Sequence, residues 1–132
     1  MNFERRTLIN SASATALFLS MGAVWAAQPV VEIIAFAHPP VQSALKPLRD
    51  WLSSQSKLIR VVETDMETPA GEKRAAAVGV TGHVPILILV DGKFAFSRKD
   101  GSAFELKSFP ASANMKGSWT IEDAKAAIAA TH

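Results

Sequence analysis

Apolar positions in this chain come in short, nearly continuous runs and in runs spaced by three and four residues, with turn residues between them. Val30-Val31-Glu32-Ile33-Ile34-Ala35-Phe36 is rich in β-branched residues and almost uninterrupted, the pattern of a strand buried on both faces. Pro39-Pro40 ends it. Val41, Ala44, Leu45, Leu48 and Leu52 then share one helical face, with Pro40 suited to the first turn and Pro47 predicted to kink the helix. Leu58-Ile59-Arg60-Val61-Val62-Glu63 reads as a second strand. Thr68-Pro69 is an N-cap followed by proline at the first helical position, opening a helix through Ala77 that Gly79 and Gly82 break. Pro85-Ile86-Leu87-Ile88-Leu89-Val90 predicts a central strand whose proline must be its first residue. Asp91-Gly92 predicts a hairpin into Lys93-Phe94-Ala95-Phe96-Ser97-Arg98, and Asp100-Gly101 a second turn with Ala103-Phe104-Glu105-Leu106 returning. Residues 108–118 lack a pattern. Thr120 then caps a last helix, with Glu122 and Asp123 in its first turn.

This order predicts an α/β fold in three layers, a mixed sheet of four to five strands between helices. The first two strands should run parallel through a right-handed crossover, and the Asp91-Gly92 hairpin should make the later pair antiparallel.

A different pattern occupies the start of the chain. Arg5-Arg6 precede an uncharged stretch from Thr7 to Ala27 with Leu17-Phe18-Leu19 among small residues, and Val24 and Ala26 stand three and one positions before a cut ahead of Ala27. That is the layout of a secretory signal peptide. Asn10, Ser11, Ser13 and Ser20 dilute the stretch below what a spanning helix requires, so no stable membrane span is expected after its removal. Residues 1–26 are thus assigned to an export signal and 27–132 to one folded domain. Arg5-Arg6-Thr7-Leu8-Ile9 also fits a twin-arginine signal, with an ordinary Sec signal as the alternative. Either route implies a periplasmic location.

The chain has 132 residues, and 14 Lys/Arg against 12 Asp/Glu give a net charge of +2. No basic tract exists, so nucleic acid is not an expected partner. There is no cysteine, which excludes a disulfide framework, a thiolate zinc site, an iron–sulfur cluster and a thiol nucleophile in this chain. Lys93, Arg98, Lys99 and Lys107 alternate with Asp91, Asp100 and Glu105 as a solvated mixed face. Phe94, Phe96, Phe104, Phe109, Trp51 and Trp119 read as core and rim.

Two loops resemble the thioredoxin family. In that family a strand leads into a Cys-Gly-Pro-Cys loop at a helix start, with a kinking proline eight positions after the first cysteine. Pro47 resembles that proline, and counting back places Pro39-Pro40-Val41-Gln42 where the redox motif would stand. The family's second mark is Gly-x-x-Gly-x-Pro before a central apolar strand. Gly79-Val80-Thr81-Gly82-His83-Val84-Pro85 is similar to it, one residue longer. The resemblance covers about residues 30–98. It implies a thioredoxin-like three-layer sandwich, a cis Val84–Pro85 bond, and a groove where the helix start and the proline loop lie side by side. Disulfide exchange does not carry over, because it needs a thiolate and the chain has none.

On this reading His38, Pro39, Pro40, Val41, Gln42, His83, Val84 and Pro85 form a groove for an extended peptide or a periplasmic partner protein, bound through main-chain hydrogen bonds. A second class of function is open. His38 and His83 on neighbouring loops could ligate Cu or Zn, helped by Gln42, Glu63, Asp65, Met66 or a second chain, in a metal-binding protein or a metal-dependent enzyme. The plainer reading leaves His38 at a strand end and His83 as a polar loop residue. A general acid–base role for either histidine is chemically open, but no nucleophile–base spacing supports catalysis, and no catalytic residue is assigned. Asp65 and Glu67 fit turn and cap roles. Gly79-x-x-Gly82 is no phosphate loop, since it lacks the following Lys-Ser/Thr and runs into a strand.

Overall fold

The computed structural model describes residues 28–131. The export signal assigned to residues 1–26 lies outside the described residues. The elements are β1 (Val30–Ala35), α1 (Pro39–Ser54), β2 (Arg60–Asp65), α2 (Pro69–Ala77), β3 (Ile86–Val90), β4 (Ala95–Ser97), β5 (Ala103–Glu105) and α3 (Ile121–Ala129). Among the described residues no helix is long and apolar enough to cross a membrane.

A mixed three-stranded sheet has the order β2-β1-β3. β1 runs parallel to β2, with Val31 beside Val61 and Ile33 beside Glu63, and antiparallel to β3, with Ile33 beside Ile88. All five residues of β3 are buried, as its uninterrupted apolar run predicts. Side chains alternate across a strand, so Glu32 and Glu63 point to opposite faces. Arg49 of α1 bonds Glu63, and Arg74 of α2 grips Glu32 through two bonds of 2.8 and 2.7 Å. Those pairs set α1 and α2 on opposite faces of the sheet. The α3 helix packs against α1.

The sequence reading needs three corrections here. The sheet has three strands, not four to five. The Asp91-Gly92 turn does form, with φ of 50° and 82° and a bond between Val90 N–H and the Lys93 carbonyl of 2.7 Å. Pairing then stops, however, and β4 joins β5 across the Asp100-Gly101 turn as a separate two-stranded sheet. The physical reason is competition for the outer edge of β3. Ile88 N–H donates to the Leu106 carbonyl at 2.9 Å and Ser108 N–H to the Ile86 carbonyl at 2.8 Å. The segment after β5 therefore takes the place the hairpin strand was expected to hold.

The second strand also begins later than its apolar pattern suggests. Leu58 and Ile59 N–H both donate to the Gln55 carbonyl, closing a turn that delays the extended backbone to Arg60. The third correction is the Val84–Pro85 bond, which is trans: among the described residues there is no cis peptide. The Pro85 carbonyl accepts from Phe36 N–H at 3.0 Å and Val84 N–H turns back to the Gly82 carbonyl at 3.1 Å. With the longer loop, the trans chain reaches the sheet and makes these bonds. The α1 helix continues through Pro47, which lacks the N–H that an interior helical residue donates.

Thr120 caps α3 as predicted. Its hydroxyl accepts from Asp123 N–H at 3.0 Å while the Asp123 carboxylate accepts from Thr120 N–H at 2.9 Å. The same carboxylate takes Arg98 Nε and Nη2 at 3.1 and 2.9 Å. These bonds, Arg98 foremost, hold the Asp123 carboxyl below its ordinary value of 3.8, against an opposing effect of burial. A depressed carboxyl stabilises the fold above the ordinary carboxylate range, and that stability is lost as pH falls through the folded value. Asp123→Ala should cost about 1–2 kcal/mol at pH 7 through the lost cap and guanidinium pair. In urea unfolding the gap between wild type and variant should shrink as pH is lowered below the carboxylate range; a constant gap would show that the effect is not ionic.

Candidate functional site

The loop after β1 and the loop before β3 meet at Phe36. Phe36 is 7% exposed, its N–H donates to the Pro85 carbonyl, and its ring carries both candidate histidines: His83 lies 4.6 Å away between centroids, tilted, and His38 lies 5.6 Å away, edge-on. The adjacency follows from the antiparallel pairing of β1 with β3, which places the end of one beside the start of the other.

His38 is the extended N-cap residue of α1, with Pro39 and Pro40 opening the helix. Its carbonyl accepts from Val41 and Gln42 N–H at 3.0 and 3.1 Å, and its Nε2 stands 3.1 Å from Glu67 Oε1. Both side chains of that pair are more than half exposed, so solvent screening limits its contribution to about 0–1 kcal/mol. Val41 is buried in the core. Gln42 turns inward: its amide nitrogen donates to the Phe36 carbonyl at 2.8 Å and its oxygen accepts from Arg49 Nη1 at 2.6 Å. The exposed members of the predicted groove at the helix start are therefore His38, Pro39 and Pro40. Across from them, His83 is exposed and Val84 and Pro85 are half-buried.

The loop before β3 is poorly satisfied. Among the described residues the only hydrogen bond made by the backbone of residues 81–84 is the one from Val84 N–H to Gly82. The N–H groups of Thr81, Gly82 and His83 have no acceptor among the described residues, which leaves them open to water or a ligand. Beside this loop lies a depression of about 560 Å³, lined by Phe36, Met66, Glu67, Glu72, Ala75, Ala76, Val80, Thr81, Gly82 and His83. Met66 sits there because its N–H continues the β1–β2 ladder to the Ala35 carbonyl at 2.9 Å. Thr68 then starts α2, accepting from Gly71 N–H at 3.2 Å.

A larger depression, about 680 Å³, lies at the other end of β2, where Leu52, Ile59 and Val61 form an apolar floor. Its polar rim is largely engaged internally. Arg49 is bonded to Glu63 and Gln42, and the Gln28 amide donates to the Lys57 carbonyl at 2.7 Å. β2 is nonetheless an open edge. Arg60 and Met66 N–H donate into β1, so the intervening odd residues Val61, Glu63 and Asp65 turn their main-chain groups outward. Charges at Arg60, Glu63 and Asp65 are the kind that discourage pairing there.

For Cu or Zn, no group of three or more His, Cys, Asp or Glu lies close enough to share an ion among the described residues. His38 and His83 share Phe36 as a neighbour, and among the described residues Glu67 is the only acid within ion-pair distance of either.

Reasoning from sequence missed Phe36, Glu67 and Glu72. Phe36 reads as the last residue of a strand, and Glu67 and Glu72 as acids flanking a helix start. Only folding sets them around one depression. Compared with protein-family models, with curated proteins and with solved structures, the chain shows no match.

Proposed function

We propose that this chain is an exported, redox-inactive binding module of thioredoxin-like type that holds an extended peptide or a segment of a periplasmic partner protein. The contact surface is the former redox corner: His38, Pro39 and Pro40 on one side, His83, Val84 and Pro85 on the other. The observation that carries this reading is the stretch Thr81–His83, whose three main-chain N–H groups have no partner among the described residues and lie beside the α1 start. An extended chain supplies a row of complementary main-chain groups. Pro39-Pro40 stiffens the opposite wall, so little conformational entropy is lost there on binding. The fold-level analogy rests on the parallel β1–β2 pair, the antiparallel β3 and helices on both faces. The uncharged N-terminal stretch and the small residues at 24 and 26 support export. Thiol–disulfide exchange has no residue to perform it in a chain without cysteine.

The test is an amide-shift titration of labelled protein with a blocked Ala-Val-Thr-Val-Ala peptide, which favours extended backbone. Shifts are expected at Phe36, His38 and residues 81–84, and they should persist in Val61→Pro, which spoils the open β2 edge without removing a ladder bond. Shifts confined to residues 60–65, or abolished by Val61→Pro, would move peptide binding to the edge strand and end this reading.

A further inference from the structure

We propose that the depression beside Phe36 receives a lysine or arginine side chain of the bound extended peptide, an inference that rests on the peptide-binding reading above. The depression has an apolar floor and an acidic wall. Phe36, Met66, Ala75 and Val80, each no more than 7% exposed, form the floor. Glu67 and Glu72 stand over it, and no Lys or Arg among the described residues lines it, in a chain whose net charge is +2. The nearby cations are directed elsewhere: Arg74 is clamped on Glu32, and Lys73 is exposed and does not line the depression.

Glu67 Oε1 contacts His38, but Glu67 Oε2 and both oxygens of Glu72 have no hydrogen-bond or ion-pair partner among the described residues. A long cationic side chain matches this division. Its aliphatic stem lies along apolar surface while its charged end stays at the wet rim with the carboxylates. The low-dielectric floor also concentrates the field of the two acids toward the opening. A carboxylate side chain at the same position would be repelled, and a neutral apolar one would gain the floor alone.

The experiment compares three blocked pentapeptides on the full chain: Ala-Val-Lys-Val-Ala and its analogues with norleucine or glutamate at the centre. Dissociation constants are read from the amide shifts of residues 81–84. The lysine peptide is expected to bind about fivefold tighter than the norleucine peptide, the scale of a partly exposed charge pair, and the glutamate peptide weakest. The double variant Glu67→Gln/Glu72→Gln should bring the lysine peptide down to the affinity of the norleucine peptide on the same variant, and a cooperative urea transition shows that the variant is folded. Equal affinity of lysine and norleucine for the wild type overturns the proposal and leaves the peptide reading standing. If none of the three peptides shifts these amides, the peptide reading falls and takes the charge preference with it.

Discussion

Trp119→Ala should be the most destabilising single substitution in the domain, costing about 3–5 kcal/mol. Among the described residues Trp119 is the largest fully buried side chain, at 0% exposure. Its loss opens a cavity that the surrounding core can only partly fill. The indole N–H also donates to the Lys107 and Ser108 carbonyls at 3.2 and 3.1 Å, and the Trp119 carbonyl accepts from Ala111 N–H at 2.7 Å. Ser108 holds a positive φ of 69°, a backbone state few residues adopt unaided. The indole thus pins the segment that closes the outer edge of β3. Of the roughly 5–15 kcal/mol that holds a domain together, this is a large share. Urea unfolding should show the loss. Hydrogen exchange should locate it, because Ile88 N–H, bonded to Leu106, loses protection before the β1-facing amides of β3. Trp119→Phe, which keeps a ring but no donor, should fall between. A Trp119→Ala domain with unchanged protection at Ile88 would show that the indole does not hold that edge.

Gly71→Ala is the second large effect, and its sign is the test. By helix propensity alone, alanine inside α2 is better than glycine by about 1 kcal/mol. The packing dictates the reverse. A Cβ on Gly71 would overlap the Asp65 carbonyl oxygen and lie 2.9 Å from Met66 Cα. That backbone cannot easily retreat, since the Asp65 carbonyl accepts from Thr68 Oγ1 at 2.7 Å and Met66 N–H is bound to Ala35. The helix must lift instead, at an expected cost of about 2–3 kcal/mol. Thermal unfolding reads this as a fall of roughly 10–20 °C for a domain of this size. An increase in stability would mean that α2 sits further from the strand end than described. Because Glu67, Glu72 and Ala75 ride on this turn and helix, the depression beside Phe36 should change shape with it.

Close approach at Gly71 shows why some of the structure could not be read from the chain. Glycine in a helical stretch has the same local signature whether it is tolerated or required, and the Asp65 carbonyl that requires it is fixed by a strand. The site residues behave alike. His38 and His83 were visible because imidazole stands out, but the ring between them, Phe36, has nothing in its neighbours to mark it. Gln42 is the converse case. Its side chain looks available in sequence, yet it bonds Phe36 and Arg49 within the fold.

Local rules did determine much. The nearly continuous apolar runs, rich in Val and Ile, specify β1 and β3 as strands buried on both faces. Proline at a first turn and Thr at the N-cap specify where α1, α2 and α3 begin, because the first helical N–H groups need no helical partner or a side-chain one. The absence of cysteine by itself excludes a thiol nucleophile or a disulfide within this chain. Tertiary structure alone decided which strand closes the edge of β3, the trans geometry ahead of Pro85, and the meeting of Phe36, Glu67, Glu72 and His83. Those outcomes depend on groups distant in sequence competing for the same backbone partners and the same space, and no local pattern records the winner.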